Sequence, residues 1–135
     1  MTDQIGVVLT ADAGFVKQLA VTIQSIASSS RRNRDHRIFV LHDRLGAVDR
    51  QRIEELARGT VRFEWIDGHT EGFSAMDLPH RLTAASLFRL RVDELLPADV
   101  ERVIYLDCDV IVCRPLDALW AVSYTHLTLP TNREV

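Results

Sequence analysis

Lysine is nearly absent from this chain: Lys17 stands alone, and arginine carries almost all the positive charge. Cysteine is equally scarce, with Cys108 and Cys113 the only two. Two thiols cannot staple a secreted scaffold, and a four-cysteine zinc site would need twice as many. Cys108 and Cys113 are an odd number of residues apart, so along one strand they would face opposite sides. Buried structural thiols in a reducing compartment are the simplest expectation. A large excess of one charge is missing too, because the formal net charge is -3. That excludes nucleic-acid binding driven by bulk electrostatics. The basic stretch "RRNRDHR" from Arg31 to Arg37 follows three serines and reads as a solvated loop. No apolar run approaches the ~20 residues of a membrane span. The opening "MTDQIGVVLTAD" lacks the basic start and long apolar core of a secretory leader. No G-x-G-x-x-G follows the first apolar run, which disfavours a dinucleotide-binding dehydrogenase.

What is present is ordinary globular material. The 135 residues are 47% hydrophobic and 26% charged, enough for one modest domain with a real core. "IGVVLTAD" (Ile5 to Asp12) is a short continuous apolar run ending at a carboxylate, the pattern of a buried strand entering a loop. Phe15, Leu19, Ile23 and Ile26, with Val16, Ala20 and Ala27, keep helical spacing up to "SSS". "RIFVLHD" (Arg37 to Asp43) is a second strand. "AVDRQRIEELARG" is an amphipathic helix with Ile53, Leu56 and Ala57 inward and Gly59 as its stop. Val61, Phe63 and Trp65 alternate along a third strand, Val61 to Asp67. After an irregular connection, a helix is expected from about Thr83 to Leu96, ended by Pro97. "RVIYLD" is the fourth strand. This βαβαβ–loop–αβ order predicts an α/β fold: a mostly parallel sheet with helices on both faces.

In such sheets ligands collect beyond the carboxyl ends of the strands. Asp12, Asp43, Asp67 and Asp107 all lie at strand ends. For Asp43 and Asp67 a turn or cap is the expected role. Asp12, Asp107 and Asp109 follow the most apolar strands and stand apart. In "VIYLDCDVIV", Asp107 and Asp109 are two residues apart, so an extended chain would point both to one side with Cys108 opposite. Two like charges that close need something positive between them. A hard divalent cation such as Mn²⁺ or Mg²⁺ suits oxygen ligands and keeps positions open for phosphate oxygens. The plainer possibility is that one carboxylate caps a turn and the other pairs with Arg102 or Arg114. Arg89 is placed with Ala85, Val92 and Leu96 on one stripe of the Thr83 helix. A charge on an inward stripe needs a partner. That partner is either an ion pair, with Asp107 a candidate, or a bound phosphate or carboxylate.

Together "IGVVLTADAGFVKQLAVTIQSI", "RIFVLHD" and "SLFRLRVDELLPADVERVIYLDCDVIVCRPLDALW" resemble glycosyltransferase family 8, over about Gln4 to Trp120. The resemblance implies a GT-A (Rossmann-like) fold and a retaining hexosyltransferase related to lipopolysaccharide galactosyl- and glucosyltransferases. It implies a UDP-sugar donor, Mn²⁺ (or Mg²⁺) and a glycan-type acceptor. By position, Asp107 and Asp109 become the metal ligands, with Asp107 also near the donor. Ala11, Asp12 and Phe15 match the segment that receives the nucleoside. Arg89 matches the family's helix arginine, near donor sugar and phosphates, and is the candidate catalytic group. The family usually carries Asn then Tyr where this chain has Gly14 and Phe15. Phe15 can stack on a base but cannot hydrogen-bond to it, which weakens selection for uracil. A cytoplasmic location is implied, with peripheral attachment to the inner membrane face compatible with it.

The tail "VSYTHLTLPT" does not fit that pattern and resembles a translated sequencing adapter. The expected organisation is therefore residues 1–121 as the N-terminal, nucleotide-sugar-binding half of a family 8 domain, and 122–135 as a non-native or disordered tail. The family's third metal ligand, a His in an H-x-x-G-x-x-K-P-like segment, lies in the half not expected here, so this chain alone would be inactive. Two other readings compete. One is a non-catalytic nucleotide-binding α/β module. The other is a phosphohydrolase of the haloacid dehalogenase type, which also carries D-x-D after an apolar strand. That type places the motif early and needs a downstream lysine, and no lysine follows Asp109.

Overall fold

The computed structural model describes residues 4–57, 59, 61–68 and 87–122. In chain order it contains β1 (Ile5–Asp12), a 3-10 turn (Ala13–Phe15), α1 (Val16–Ser29), β2 (His36–Asp43), α2 (Ala47–Leu56) and β3 (Val61–Asp67). A second 3-10 turn (Phe88–Arg91) leads into α3 (Val92–Leu95), followed by β4 (Ile104–Tyr105) and α4 (Asp117–Trp120). The four strands form one sheet in the order β3-β2-β1-β4. Each paired neighbour runs parallel.

The residue pattern explains that order. β1 and β2 are apolar on both faces because both faces are covered. Ile5, Val7, Leu9 and Ala11 meet Leu19, Ile23 and Ile26 of α1 and Ile53 of α2 on one side. Val8 joins Phe39, Leu41 and Phe88 on the other, where Val92 and Leu95 pack against them. β3 lies at the sheet edge, and its alternating Val61, Phe63 and Trp65 are only half buried. Phe63 and Trp65 stack with ring centroids 5.6 Å apart. Trp65 Nε1 donates to Glu54 Oε1 of α2 at 2.6 Å.

Four expectations need correction. Phe15 is 40% exposed, because a 3-10 turn precedes α1 and turns its ring away from the helix stripe. Leu56 is 59% exposed, since α2 ends there and only Ile53 and Ala57 reach the core. The Thr83 helix is present within the described residues only as the 3-10 turn and the single turn of α3; residues 83–86 lie outside them. The fourth strand is two residues long rather than six, because the ladder to β1 covers only Val7↔Ile104 and Val8↔Tyr105. The stop signals fare better. Gly59 has φ +118, a left-handed conformation that suits glycine just after a helix.

Candidate functional site

β1 has β2 on one side and β4 on the other. The chain leaves β1 through α1 on one face of the sheet and reaches β4 from Phe88 and α3 on the opposite face. The point between β1 and β4 is therefore where the winding changes direction, the place beyond the carboxyl ends of the strands where such sheets bind ligands. Asp12 ends β1. Asp107 and Asp109 follow β4 by two and four residues. The fold brings these three acidic residues to the same end of neighbouring strands.

Asp12 caps the first 3-10 turn: its Oδ1 accepts from Gly14 N at 2.8 Å. A cap is thus seen at Asp12, for which that was not the expected role. Asp43 lies 3.5 Å from the Arg44 guanidinium. Ala11 is buried in the core beside Asp12, and Phe15 projects at the end of the same turn. Thr10 Oγ1 and the Tyr105 hydroxyl are 3.2 Å apart, tying β1 to β4 near the carboxyl end of β1.

Asp107 and Asp109 are both exposed, and Cys108 between them is half buried against the core. That is the alternation expected of a strand, but residues 108 and 109 form a turn. Burial is the main reason the Cys108 thiol titrates above its ordinary range; Asp109, then Asp107 and Asp12, push it the same way. All three carboxylates are thus close enough to be felt at one sulfur. Among the described residues no cation forms an ion pair with Asp107 or Asp109. Arg102 instead lies over the Trp120 ring at 3.8 Å. Exposed oxygen donors with no counter-charge among the described residues fit a hard divalent cation. Among the described residues no three acidic, His or Cys side chains close a complete metal site.

Arg89 departs from its expected stripe. It is exposed, because the 3-10 turn advances about 120° per residue and gives the inward position to Phe88. It borders a groove of about 650 Å³ with Val92, Asp93, Val103 and Tyr105, which Asp107 and Asp109 do not line. The structure therefore places Asp12, Asp107 and Asp109 at the same end of neighbouring strands and leaves Arg89 on the flank beside Tyr105.

The sequence reading missed the residues that hold the acidic turn. Thr22 of α1 is fully buried, and its hydroxyl donates toward the carbonyls of Cys108 at 2.9 Å and Val110 at 2.7 Å. Ser25 Oγ donates to Thr22 O at 2.7 Å and accepts from Val112 N at 2.9 Å. The available signal was a hydroxyl at position 22 on the apolar stripe of Leu19, Ile23 and Ile26.

A family model described as "Glycosyl transferase family 8" matches residues 6–130. The chain belongs to glycosyl transferase family 8. The match runs past Val122, into the stretch expected to be foreign; residues 123–135 lie outside the described ones. General stress protein A of Bacillus subtilis (strain 168) is 22% identical over 125 residues, which cover 91% of this chain and 44% of that protein. The galactosyltransferase LgtC, solved in complex with donor and acceptor sugar analogs, superposes with a TM-score of 0.74 at 27% identity. That match covers 88% of this chain and 43% of LgtC. The bifunctional glycosyltransferase WbbM gives a TM-score of 0.75 at 22% identity, covering 91% of this chain and 22% of WbbM. The parallel sheet with flanking helices is thus the GT-A fold of these structures. The chain spans less than half the length of each of these relatives.

Proposed function

We propose that this chain carries the donor-binding half of a metal-dependent retaining hexosyltransferase using a UDP-sugar and a glycan-type acceptor. The observation that carries the reading is the pair of exposed carboxylates, Asp107 and Asp109, just beyond β4 where β4 adjoins β1. They would hold Mn²⁺ or Mg²⁺, with further ligands coming from donor phosphates and from outside the described residues. A divalent cation there would offset negative charge on the departing diphosphate. Asp12 and Ala11 would border the ribose, and Phe15, exposed at the end of its turn, would stack on the base. Arg89, flanking Tyr105, would steady the phosphates. The free thiols Cys108 and Cys113 suit the reducing cytoplasmic side, with the inner membrane face as a peripheral location. Among the described residues no helix is long and apolar enough to cross a membrane.

The test is calorimetric titration of Mn²⁺ and UDP into this chain. The expected result is UDP binding that depends on Mn²⁺ and weakens at least roughly 10–100-fold in Asp109→Ala. Binding of UDP that ignores both metal and Asp109→Ala would favour the nucleotide-binding module. Covalent phosphate on Asp107 would revive the phosphohydrolase. No UDP binding at all, with or without Mn²⁺, would sink the donor-site reading.

A further inference from the structure

Among the described residues, the backbone of the acidic turn beyond Leu106 has no strand partner. The last ladder-like bond is Leu106 N to Val8 O at 3.0 Å. From Cys108 to Val112, three backbone groups bond instead to two hydroxyls of α1, as the carbonyls of Cys108 and Val110 approach Thr22 and the amide of Val112 reaches Ser25. A buried threonine in a helix commonly satisfies its hydroxyl on its own preceding turn. Thr22 directs its hydroxyl outward to residues 86 and 88 positions later in the chain. The two hydroxyls are linked in series, since Ser25 Oγ donates to Thr22 O while accepting from Val112 N. A valine at position 22 would serve the apolar stripe equally well, so packing does not account for the hydroxyl.

We propose that Thr22 and Ser25 are positioning residues. Their hydroxyls hold the Cys108–Val112 backbone in place of a neighbouring strand and so fix Asp107 and Asp109 as one preset pair of oxygen donors for a divalent cation. The cation part rests on the donor-site reading above. Anchored this way, the carboxylates need no reordering on binding, and a preset site binds more tightly than one that must be assembled. Thr22 acts through the carbonyls of its neighbours and touches no ligand itself.

The experiment compares Thr22→Val, Thr22→Ser and Ser25→Ala with the wild-type chain by two readouts. The first is amide hydrogen exchange at residues 109–112. The second is Mn²⁺ affinity in the presence of UDP, read by electron paramagnetic resonance of free Mn²⁺. Thr22→Val is expected to speed exchange at Val112 and weaken Mn²⁺ binding roughly 10–100-fold, the range typical of lost ligand-orienting groups. Thr22→Ser restores both, which a merely apolar role for the side chain would not do. Ser25→Ala shows the same pattern and decides the question if Thr22→Val does not fold. Exchange and affinity both within about twofold of wild type in a folded variant would overturn the proposal. If the wild type binds no Mn²⁺ with UDP, the donor-site reading fails on its own. Exchange then decides the hydroxyl clip, with faster exchange in Thr22→Val supporting it and an unchanged rate overturning it.

Discussion

The two sides of β1 are held differently. Toward β2 the ladder is continuous over eight residue pairs, Ile5↔His36 to Asp12↔Asp43. Toward β4 it covers two pairs, after which the chain peels away from the sheet. The β2 side is stabilised by backbone bonds and by apolar residues on both faces. The β4 side beyond Leu106 is held by the hydroxyls of Thr22 and Ser25 and by half-buried Cys108 and Val112 against the core, with no ladder to β1. The difference teaches where rigidity comes from. A closed ladder leaves little room for charge, whereas a turn pinned from one side can present two carboxylates to solvent and still keep its backbone polar groups bonded.

The comparison breaks most severely in the central strands. Phe39 is fully buried on β2 and packs with Val8, Leu41 and Phe88. Phe39→Ala should destabilise the fold by ~3–5 kcal/mol, a large share of a domain's usual stability. Denaturant unfolding would check this, and a loss under ~1 kcal/mol would mean the sheet does not depend on this face. A smaller break is expected at Gly68, whose amide donates to His42 O at 2.9 Å. A methyl group there would run into the Phe88 ring. Gly68→Ala should therefore cost about 1–3 kcal/mol by overpacking. The double variant Gly68→Ala/Phe88→Leu, which shrinks the ring, should show less than the sum of the two single losses if the clash is the cause.

Much of this could be read from residues alone, for identifiable reasons. β1 and β2 were legible because a continuous apolar run of strand length has few other destinations. β3 was legible from Val61, Phe63 and Trp65, whose alternation matches a half-buried edge. β4 was overextended because "VIYLDCDVIV" has strand composition throughout, and composition cannot show where a pairing partner ends. Phe15 and Arg89 were misplaced for one shared reason: both sit in 3-10 turns, where the helical angle of 100° no longer assigns faces. The exposure of Asp107 and Asp109 on either side of half-buried Cys108 was legible from spacing. The support of that turn by Thr22 was not, because that contact spans 86 residues and no local pattern encodes it.

A gentler perturbation is pH, which acts on the well-ordered side. His42, at the end of β2, is buried, and its Nδ1 accepts from Leu45 N at 3.2 Å. Protonating that nitrogen would remove the acceptor. Burial is the main cause that lowers its pKa below the ordinary value; the Asp67 carboxylate acts against it. His36 at the start of β2 is likewise lowered, chiefly by burial. Both groups then bind protons more readily in the unfolded chain. Stability is complete above the unfolded value of about 6.5 and is lost as pH falls below it toward the lowered folded values. The melting temperature should drop between about pH 7 and pH 5, and His42→Gln should flatten part of that slope. A melting temperature that rose on acidification would contradict neutral buried histidines.

The smallest effect contrasts two thiols on either side of the pinned segment. Cys108 is half buried, lies beside Asp107 and Asp109, and is held above its ordinary thiol range mainly by burial. Cys113 is exposed, one residue beyond Val112, whose amide is the last group bonded to α1. The reactive form of a thiol is the thiolate, so burial and neighbouring carboxylates both slow Cys108. Brief treatment with iodoacetamide at neutral pH should label Cys113 first, with little change in folding. In Ser25→Ala the Cys108 rate should rise toward that of Cys113, because loosening the turn exposes the sulfur. Equal labelling of both thiols in the wild type would show that residues 108–112 open freely, and the contrast between the two sides of β1 would lose its physical basis.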